Sequence, residues 1–470
     1  MDRSQRSGET QGPTEGVEGR QGINAYATLL TRPSYLAGAL LLAYTLYKHS
    51  PDTPLVLLYT PDTLPETCVE ALRIEAKYSG CIVYPVGHLR LPRGGDGEGG
   101  GGMVAERFAD TWTKLRVFEV LDIEVEVQGV LVKKKVDRLC FLDADMMVFS
   151  NPSPLIFNAD NDAFLHPLLP SSSTGAKADH NDQGNIMRLC ATHTCVCNLD
   201  FDPWAPASWT PANCAYTRLT HPCQLAPVCP SSPTLGNFNS GTFVFRPSLA
   251  LRSHVLGAFH STPPAELRKL KFPDQDFLNT LFEGRWKSLS WCVNALKTWR
   301  YWHANIWRDG EVKVLHYIVD KPWAARVGVG EGRRKVAGYK GDDGVTHGWW
   351  WEKYGAWVGE RRARGETEMV ATVEEFVAGE SGAGSEELYA VGGKAQDFAK
   401  RWEGNATMEK KGEDEKKEGR VAERKDGQVD GDRVKDEQIP SHGPVLRKKM
   451  LGERGHGPVV RGQGRSFMDP

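Results

Sequence analysis

The feature that most restricts how this chain can fold is an apolar run that stops on two carboxylates. Val136 to Leu142 is followed by Asp143-Ala144-Asp145 and then by the apolar Met146-Met147-Val148. Such a run reads as a buried strand. Side chains two apart on a strand point the same way, so Asp143 and Asp145 are expected side by side, with Ala144 turned away. Adjacent carboxylates repel unless a cation joins them. Oxygen ligands favour a hard divalent ion, Mn²⁺ or Mg²⁺. In open α/β sheets, ligands gather beyond the carboxyl ends of strands. The competing reading is a pair of solvated turn aspartates.

The elements around this run alternate. Asn24 to Leu30 reads as a strand, and Pro33 opens a helix with Tyr35, Leu36, Ala39, Leu40, Ala43 and Tyr47 at helical spacing. Leu55 to Tyr59 is a second strand, 64–77 a helix, and Cys81 to Tyr84 a third strand. That order implies parallel pairing in an α/β sheet. Pro92 to Gly102 is glycine-rich without the Lys-Ser/Thr of a phosphate loop and reads as a surface loop. Met103 to Leu121 is expected to be a helix with Phe108, Trp112, Leu115 and Phe118 on one face and Lys114 off it. Asp162 to His166 reads as a short strand. Strands over Phe238 to Phe245 and Val312 to Tyr317, and helices over 248–259 and from Pro273, complete the pattern.

Several function classes are disfavoured. The net charge of -2 provides no global basic field for nucleic acid. Met1 to Gln21 lacks the apolar centre of a signal peptide, and Tyr35 to Tyr47 is too short to span a bilayer, which takes about 20 residues. The expected location is therefore cytoplasmic.

His316 ends a late strand much as Asp143 and Asp145 end theirs, and offers a neutral imidazole as a third ligand. Lys321 and Lys114 offer point charges to a diphosphate. Each signal is weak alone. Together they resemble glycosyltransferase family 8, the group containing glycogenin and the galactinol synthases. The matching segments are Ala25 to Leu30 with Tyr35-Leu36-Ala37-Gly38-Ala39, Thr113-Lys114-Leu115, Phe141 to Asp145, Phe238-Asn239-Ser240-Gly241, Asp274 to Asn279, and Val314 to Tyr317 with Lys321-Pro322-Trp323.

The resemblance implies a GT-A fold: a Rossmann-like nucleotide-sugar domain with a mainly parallel central sheet. It implies a metal-assisted, retaining transfer of a hexose from a UDP-sugar, UDP-glucose or UDP-galactose, with Mn²⁺ (or Mg²⁺) as cofactor. By position, Leu29, Thr31 and Tyr35 fall where the family binds the nucleotide, and Lys114 where a lysine touches the donor. Asp143 falls near ribose and metal, Asp145 and His316 match metal ligands, and Ala144 lies between the two acids. Asn239, Ser240 and Gly241 line the sugar pocket, Asp274 and Gln275 flank the anomeric carbon, and Lys321 grips the diphosphate. Two departures stand out. Asp276 replaces a glycine of glycogenin, and the loop Tyr317-Ile318-Val319-Asp320 is shorter and lacks glycogenin's glycine.

The expected organisation is a leader (1–22), the transferase domain (23–358) with a Cys/Pro-rich insertion (167–235), and a charged, mostly disordered tail (359–470). In the insertion Cys190, Cys195, Cys197, Cys214, Cys223 and Cys229 lie near His180, His193 and His221, without paired Cys-x-x-Cys knuckles. Structural zinc, disulfides and reduced packing thiols all remain open. The acceptor (glycan, polyol or protein) is undetermined, and a homodimer is compatible with the sequence. Galactinol-synthase-like transfer to a small polyol and an inactive nucleotide-sugar-binding scaffold are the alternatives.

Overall fold

The computed structural model describes residues 22–91, 110–127, 129–166, 187–199, 201, 205–324, 326 and 344–379. The leader, the glycine-rich loop, the start of the helix expected from Met103, the first part of the insertion and the tail beyond 379 lie outside the described residues.

The strands are β1 (Ile23–Leu30), β2 (Leu55–Tyr59), β3 (Ile82–Pro85), β4 (Asp122–Val127), β5 (Val130–Leu142), β6 (Met146–Val148), β7 (Leu189–His193), β8 (Phe238–Phe245), β9 (Trp286–Ser288), β10 (Ala295–Leu296) and β11 (Val314–His316). The main sheet has the order β3-β2-β1-β5-β8-β7-β9, with β4 added to β5 as an antiparallel hairpin arm. Strands β1, β2, β3, β5, β7 and β9 run one way and β8 runs against them. A small second sheet, β10-β11-β6, lies at the end of β5. This mainly parallel α/β arrangement with one reversed inner strand is a GT-A fold.

Alternation along β5 divides the core. Leu139 and Phe141 belong to one buried cluster with Leu115, Phe118 and Phe243, whereas Cys140 and Leu142 belong to another with Leu40, Met147 and Trp323. All four β5 side chains are at most 1% exposed. Burying an apolar side chain of this size stabilises by about 1.5–3 kcal/mol, so β5 is held from both faces. The helix Leu36–His49 covers one face, and Gly38 lets it approach closely. A Cβ there would overlap the Ala144 carbonyl oxygen and come within 2.7 Å of the Trp323 ring.

Several expectations need correction. The segment around Lys114 is a 3-10 helix, Thr111–Glu119. Trp112, Leu115 and Phe118 are spaced by three, which stacks them on one face of a three-residue turn. The strand expected over Asp162 to His166 is a helix, Ala159–Leu165; the Asn158 side chain accepts from Asn161 N–H at 2.8 Å, an N-cap. Strand β7 lies within the expected insertion yet is an inner strand of the main sheet, between β8 and β9. The packed chain also continues past 358, through the helices Val345–Ala363 and Thr367–Glu374. Arg361 there forms a bidentate pair with the fully buried Glu75, at 2.8 and 2.7 Å, and Trp357 donates to the same carboxylate at 2.9 Å.

Candidate active site

Strand β5 ends at Leu142, and the two acids lie on the turn into β6 rather than on the strand. Asp143 N–H donates to Gly241 C=O of β8 at 3.0 Å, and Met146 N–H donates back to Asp143 C=O at 3.1 Å. The turn, not strand alternation, therefore brings the carboxylates together. Ala144 is buried in the apolar core. Strand β6 then pairs with β11, with Met146 opposite His316, and Tyr317 N–H donates to Asp145 C=O at 2.9 Å.

This pairing delivers the imidazole to the acids. His316 Nε2 lies 3.3 Å from Asp145 Oδ1 and 3.8 Å from Asp143 Oδ2. Asp143, Asp145 and His316 each present a ligand atom within 4.8 Å of the others. His316 Nδ1 bonds Asn294 Oδ1 at 2.9 Å. The Asn294 amide is oriented in turn, because its Nδ2 donates to Thr192 Oγ1 at 2.8 Å and to Asn239 Oδ1 at 2.9 Å. An amide oxygen only accepts, so Nδ1 carries a proton and Nε2 is the ring nitrogen turned toward the carboxylates. Gly241 completes the fit: a Cβ there would meet His316 Cε1 at 2.5 Å. Two carboxylates and one imidazole nitrogen form a donor set suited to a divalent cation.

Two buried lysines compensate these acids. Lys114 Nζ lies 3.0 Å from Asp143 Oδ1 and 2.6 Å from Asp274 Oδ2. Lys321 Nζ pairs with Asp145 and donates to Tyr317 C=O at 2.8 Å. Burial pulls the Lys114 ammonium down, but the Asp143 and Asp274 carboxylates more than offset it, and its pKa is raised. Burial pushes the Asp143 carboxyl up; Lys114 opposes that only in part while Asp145 adds to it, so Asp143 ends above the ordinary carboxylate range. Burial also acts upward on Asp145, but Lys321 and His316 prevail and hold it well below that range.

Asp274 and Gln275 lie in the first turn of the helix Pro273–Leu281, where Pro273 is favoured and a carboxylate faces the positive end of the helix dipole. Ser240 Oγ donates to Asp274 Oδ2 at 2.9 Å. Gln275 Oε1 accepts from Asn239 Nδ2 at 3.1 Å and from Ser240 N–H at 3.3 Å. Asp276 has a local role: its Oδ2 accepts from the N–H groups of Lys271 and Phe272, both at 3.0 Å, and so shapes the entry to this helix. Trp209 of the expected insertion stacks on Phe272 at 6.0 Å, close to Asp274 in the chain.

The nucleotide-side residues are more loosely joined to this group. The β1–β5 register pairs Ala27 with Phe141, so Leu29 lies level with Asp143. The Thr31 carbonyl accepts from Thr63 Oγ1 at 2.8 Å; among the described residues no hydrogen bond joins it to the acids. The Tyr35 ring lies 5.7 Å from Lys321 Nζ and packs on Trp323. Lys321 leaves the short loop noted in the sequence, where Val319 adopts φ 65°. That is the left-handed conformation suited to the missing glycine and an outlier for a β-branched residue. Asn294 and Thr192 were missed from sequence. Asn294 is the lone polar residue in the buried stretch Trp291 to Leu296, which was the available signal.

The family model for glycosyl transferase family 8 matches residues 228–326, a span containing Asn239, Asp274, Asn294, His316 and Lys321. Galactinol synthase 7 of Arabidopsis thaliana is 27% identical over 308 residues, 64% of this chain and 74% of that protein. Galactinol synthase 1 of Solanum lycopersicum is 25% identical over 307 residues, 64% of this chain and 73% of that protein. Among solved structures, the galactosyltransferase LgtC in complex with donor and acceptor sugar analogs is 16% identical, with a TM-score of 0.40, covering 71% of this chain and 95% of that one. The family-model match over residues 228–326 and the similarity to galactinol synthases support a glycosyltransferase related to glycosyltransferase family 8.

Proposed function

We propose that the chain is a retaining hexosyltransferase whose donor is a UDP-hexose, UDP-glucose or UDP-galactose, and that Asp143, Asp145 and His316 hold a divalent ion, Mn²⁺ or Mg²⁺. The observation that carries this reading is the convergence of three ligand side chains within 4.8 Å beside Lys114, Lys321 and Asp274. A bound divalent ion supplies positive charge that stabilises the departing diphosphate. Lys321 and Lys114 add fixed positive charge beside it. Asp145 is the firm ligand, and Asp143 divides its contacts between metal and ribose.

The sugar side follows from the hydrogen bonds. Both contacts to Asp274 fall on Oδ2, which leaves Oδ1 to face developing positive charge at the anomeric carbon. Gln275 Oε1 is committed to Asn239 and Ser240, so its amide Nε2 is the end left for the sugar. Leu29, Thr31 and Tyr35 form the nucleotide side, and Asn239, Ser240 and Gly241 line the hexose pocket. Similarity to the galactinol synthases favours a small polyol as acceptor. The test is UDP release and product analysis with UDP-glucose or UDP-galactose and Mn²⁺, with and without polyols. Galactinol formation from UDP-galactose is the expected positive result. Absence of turnover with every UDP-hexose and acceptor overturns the reading; free sugar as the only product makes the protein a hydrolase.

A further inference from the structure

A second cluster of metal-ligating side chains lies away from the carboxylates. Cys195 and Cys197 follow β7, Cys214 follows the 3-10 turn Pro211–Asn213, and His303 follows the helix Trp299–Trp302. Their ligand atoms all lie within 4.8 Å of one another. His303 Nε2 is 3.3 Å from Cys195 Sγ, 3.5 Å from Cys197 Sγ and 3.7 Å from Cys214 Sγ. Cys195 and Cys214 are 3.9 Å apart, sulfur to sulfur. Cys197, Cys214 and His303 are at most 2% exposed.

Hydrogen bonding does not account for this arrangement. One ring nitrogen has one proton or one lone pair, so at most one of its three sulfur contacts is a full hydrogen bond. A disulfide needs sulfurs about 2.05 Å apart, and all ten cysteines are free. A tetrahedral zinc with ordinary bond lengths sets its ligands about 3.8 Å apart between sulfurs and about 3.6 Å between sulfur and nitrogen. The separations match that tetrahedron. His303 Nδ1 is buried without a hydrogen-bond partner, and its ring lies edge-on to Trp299 at 5.6 Å.

We propose that Cys195, Cys197, Cys214 and His303 form a closed, structural Cys₃His zinc site. All four positions are protein ligands, so the site has no open coordination position and its role is bracing rather than chemistry. It ties together three segments that are otherwise joined by packing and a few hydrogen bonds, such as those from Asn305 Nδ2 to the Tyr216 and Leu219 carbonyls and from the Tyr216 hydroxyl to the His193 carbonyl. Two of them carry the residues behind the active-site histidine. Thr192 is three residues before Cys195, and Asn294 precedes the helix Trp299–Trp302 that His303 follows. The zinc therefore clamps both sides of the amide that orients His316. This inference stands on geometry independent of the donor and acceptor.

The experiment is metal analysis of the full chain purified without chelator from zinc-containing medium, followed by exchange with Co²⁺. The expected result is about one tightly held zinc per chain, and visible tetrahedral cobalt–thiolate bands after exchange. His303→Ala and Cys197→Ser should lose that ion, whereas Cys223→Ser and Asp145→Asn should keep it. The Co²⁺ spectrum of the unaltered chain needs no variant to fold. A chain that holds no zinc and gives no cobalt–thiolate bands overturns the proposal. So does a disulfide among these cysteines, and so does an ion lost in Asp145→Asn but kept in His303→Ala.

Discussion

The two ligand clusters differ in how their charge is balanced and in how they are built. At the acidic cluster, Lys114 and Lys321 already pair with Asp143, Asp274 and Asp145, so the site is electrostatically stable without an ion. Any cation that enters competes with lysines, and those lysines then become available to an anion. At the cysteine cluster the close contacts are three thiols, one imidazole and the Thr217 hydroxyl 3.7 Å from Cys197, none of them a fixed cation. One site suits an ion that is exchanged along with a ligand; the other suits an ion acquired once, during folding. Exchangeable charge belongs to the chemistry, and permanent ligation to the frame.

The largest effect separating the two is expected from Asp145→Ala. UDP-hexose turnover should fall by about 10²–10³-fold or more, the scale for losing one pre-organised electrostatic group, while the tightly held zinc stays in place. Retained turnover would break the comparison. Asn294→Ala should lower kcat by about 10–100-fold, the range for removing a partner that orients a metal-ligating histidine. Asn294 touches His316 but no donor atom is assigned to it, so the loss should fall on kcat and on metal affinity more than on the KM for nucleotide sugar. An unchanged kcat would remove it from the site.

A smaller effect concerns the Lys321 loop. Left-handed backbone costs an L-residue about 1–2 kcal/mol, so Val319→Gly should raise unfolding stability by about 1 kcal/mol in denaturant titrations. It should also loosen Lys321 and raise the KM for the UDP-hexose. The smallest stability change is expected from Asp143→Asn. The Asp143 carboxyl is raised in the folded state, so the native chain binds its proton more tightly than the unfolded chain does. Its contribution to stability therefore grows as pH falls from neutral toward the ordinary carboxylate value. At pH 7 in chelator the variant should be no less stable than the parent, although inactive; near about pH 5 the parent should gain on it. Asp145 behaves oppositely: its pKa is depressed, so its contribution persists above the ordinary carboxylate value and is lost only as pH falls through the depressed one. A variant clearly less stable at neutral pH would show that Asp143 supports the fold rather than burdening it.

What was legible in the sequence follows from the range of the interactions. Strands β1, β2 and β5 and the helix Leu36–His49 are written in local apolar pattern, and each forms where that pattern puts it. Asp143, Asp145, His316 and Lys321 end or follow apolar runs, and the fold brings all four together. The 3-10 geometry at Lys114 was hidden because a period of three resembles a helical stripe over only two turns. Strand β7 was hidden because its five residues are set among prolines and cysteines, and its partners β8 and β9 are distant in sequence. Asn294 offers only the weak signal of a polar residue inside an apolar stretch, and His303 offers none. Each acquires its role from contacts across about a hundred residues, to Thr192 and to Cys195.

The directional amide at Asn294 has a consequence for how this chain can vary. Its nitrogen serves Thr192 and Asn239 while its oxygen serves His316. Asn239 in turn fixes Gly241 and Gln275. Reversing one amide would set donor against donor down the whole series. Positions 192, 239, 275, 294 and 316 should therefore be inherited as a block, with tolerated substitutions arising in compensating pairs.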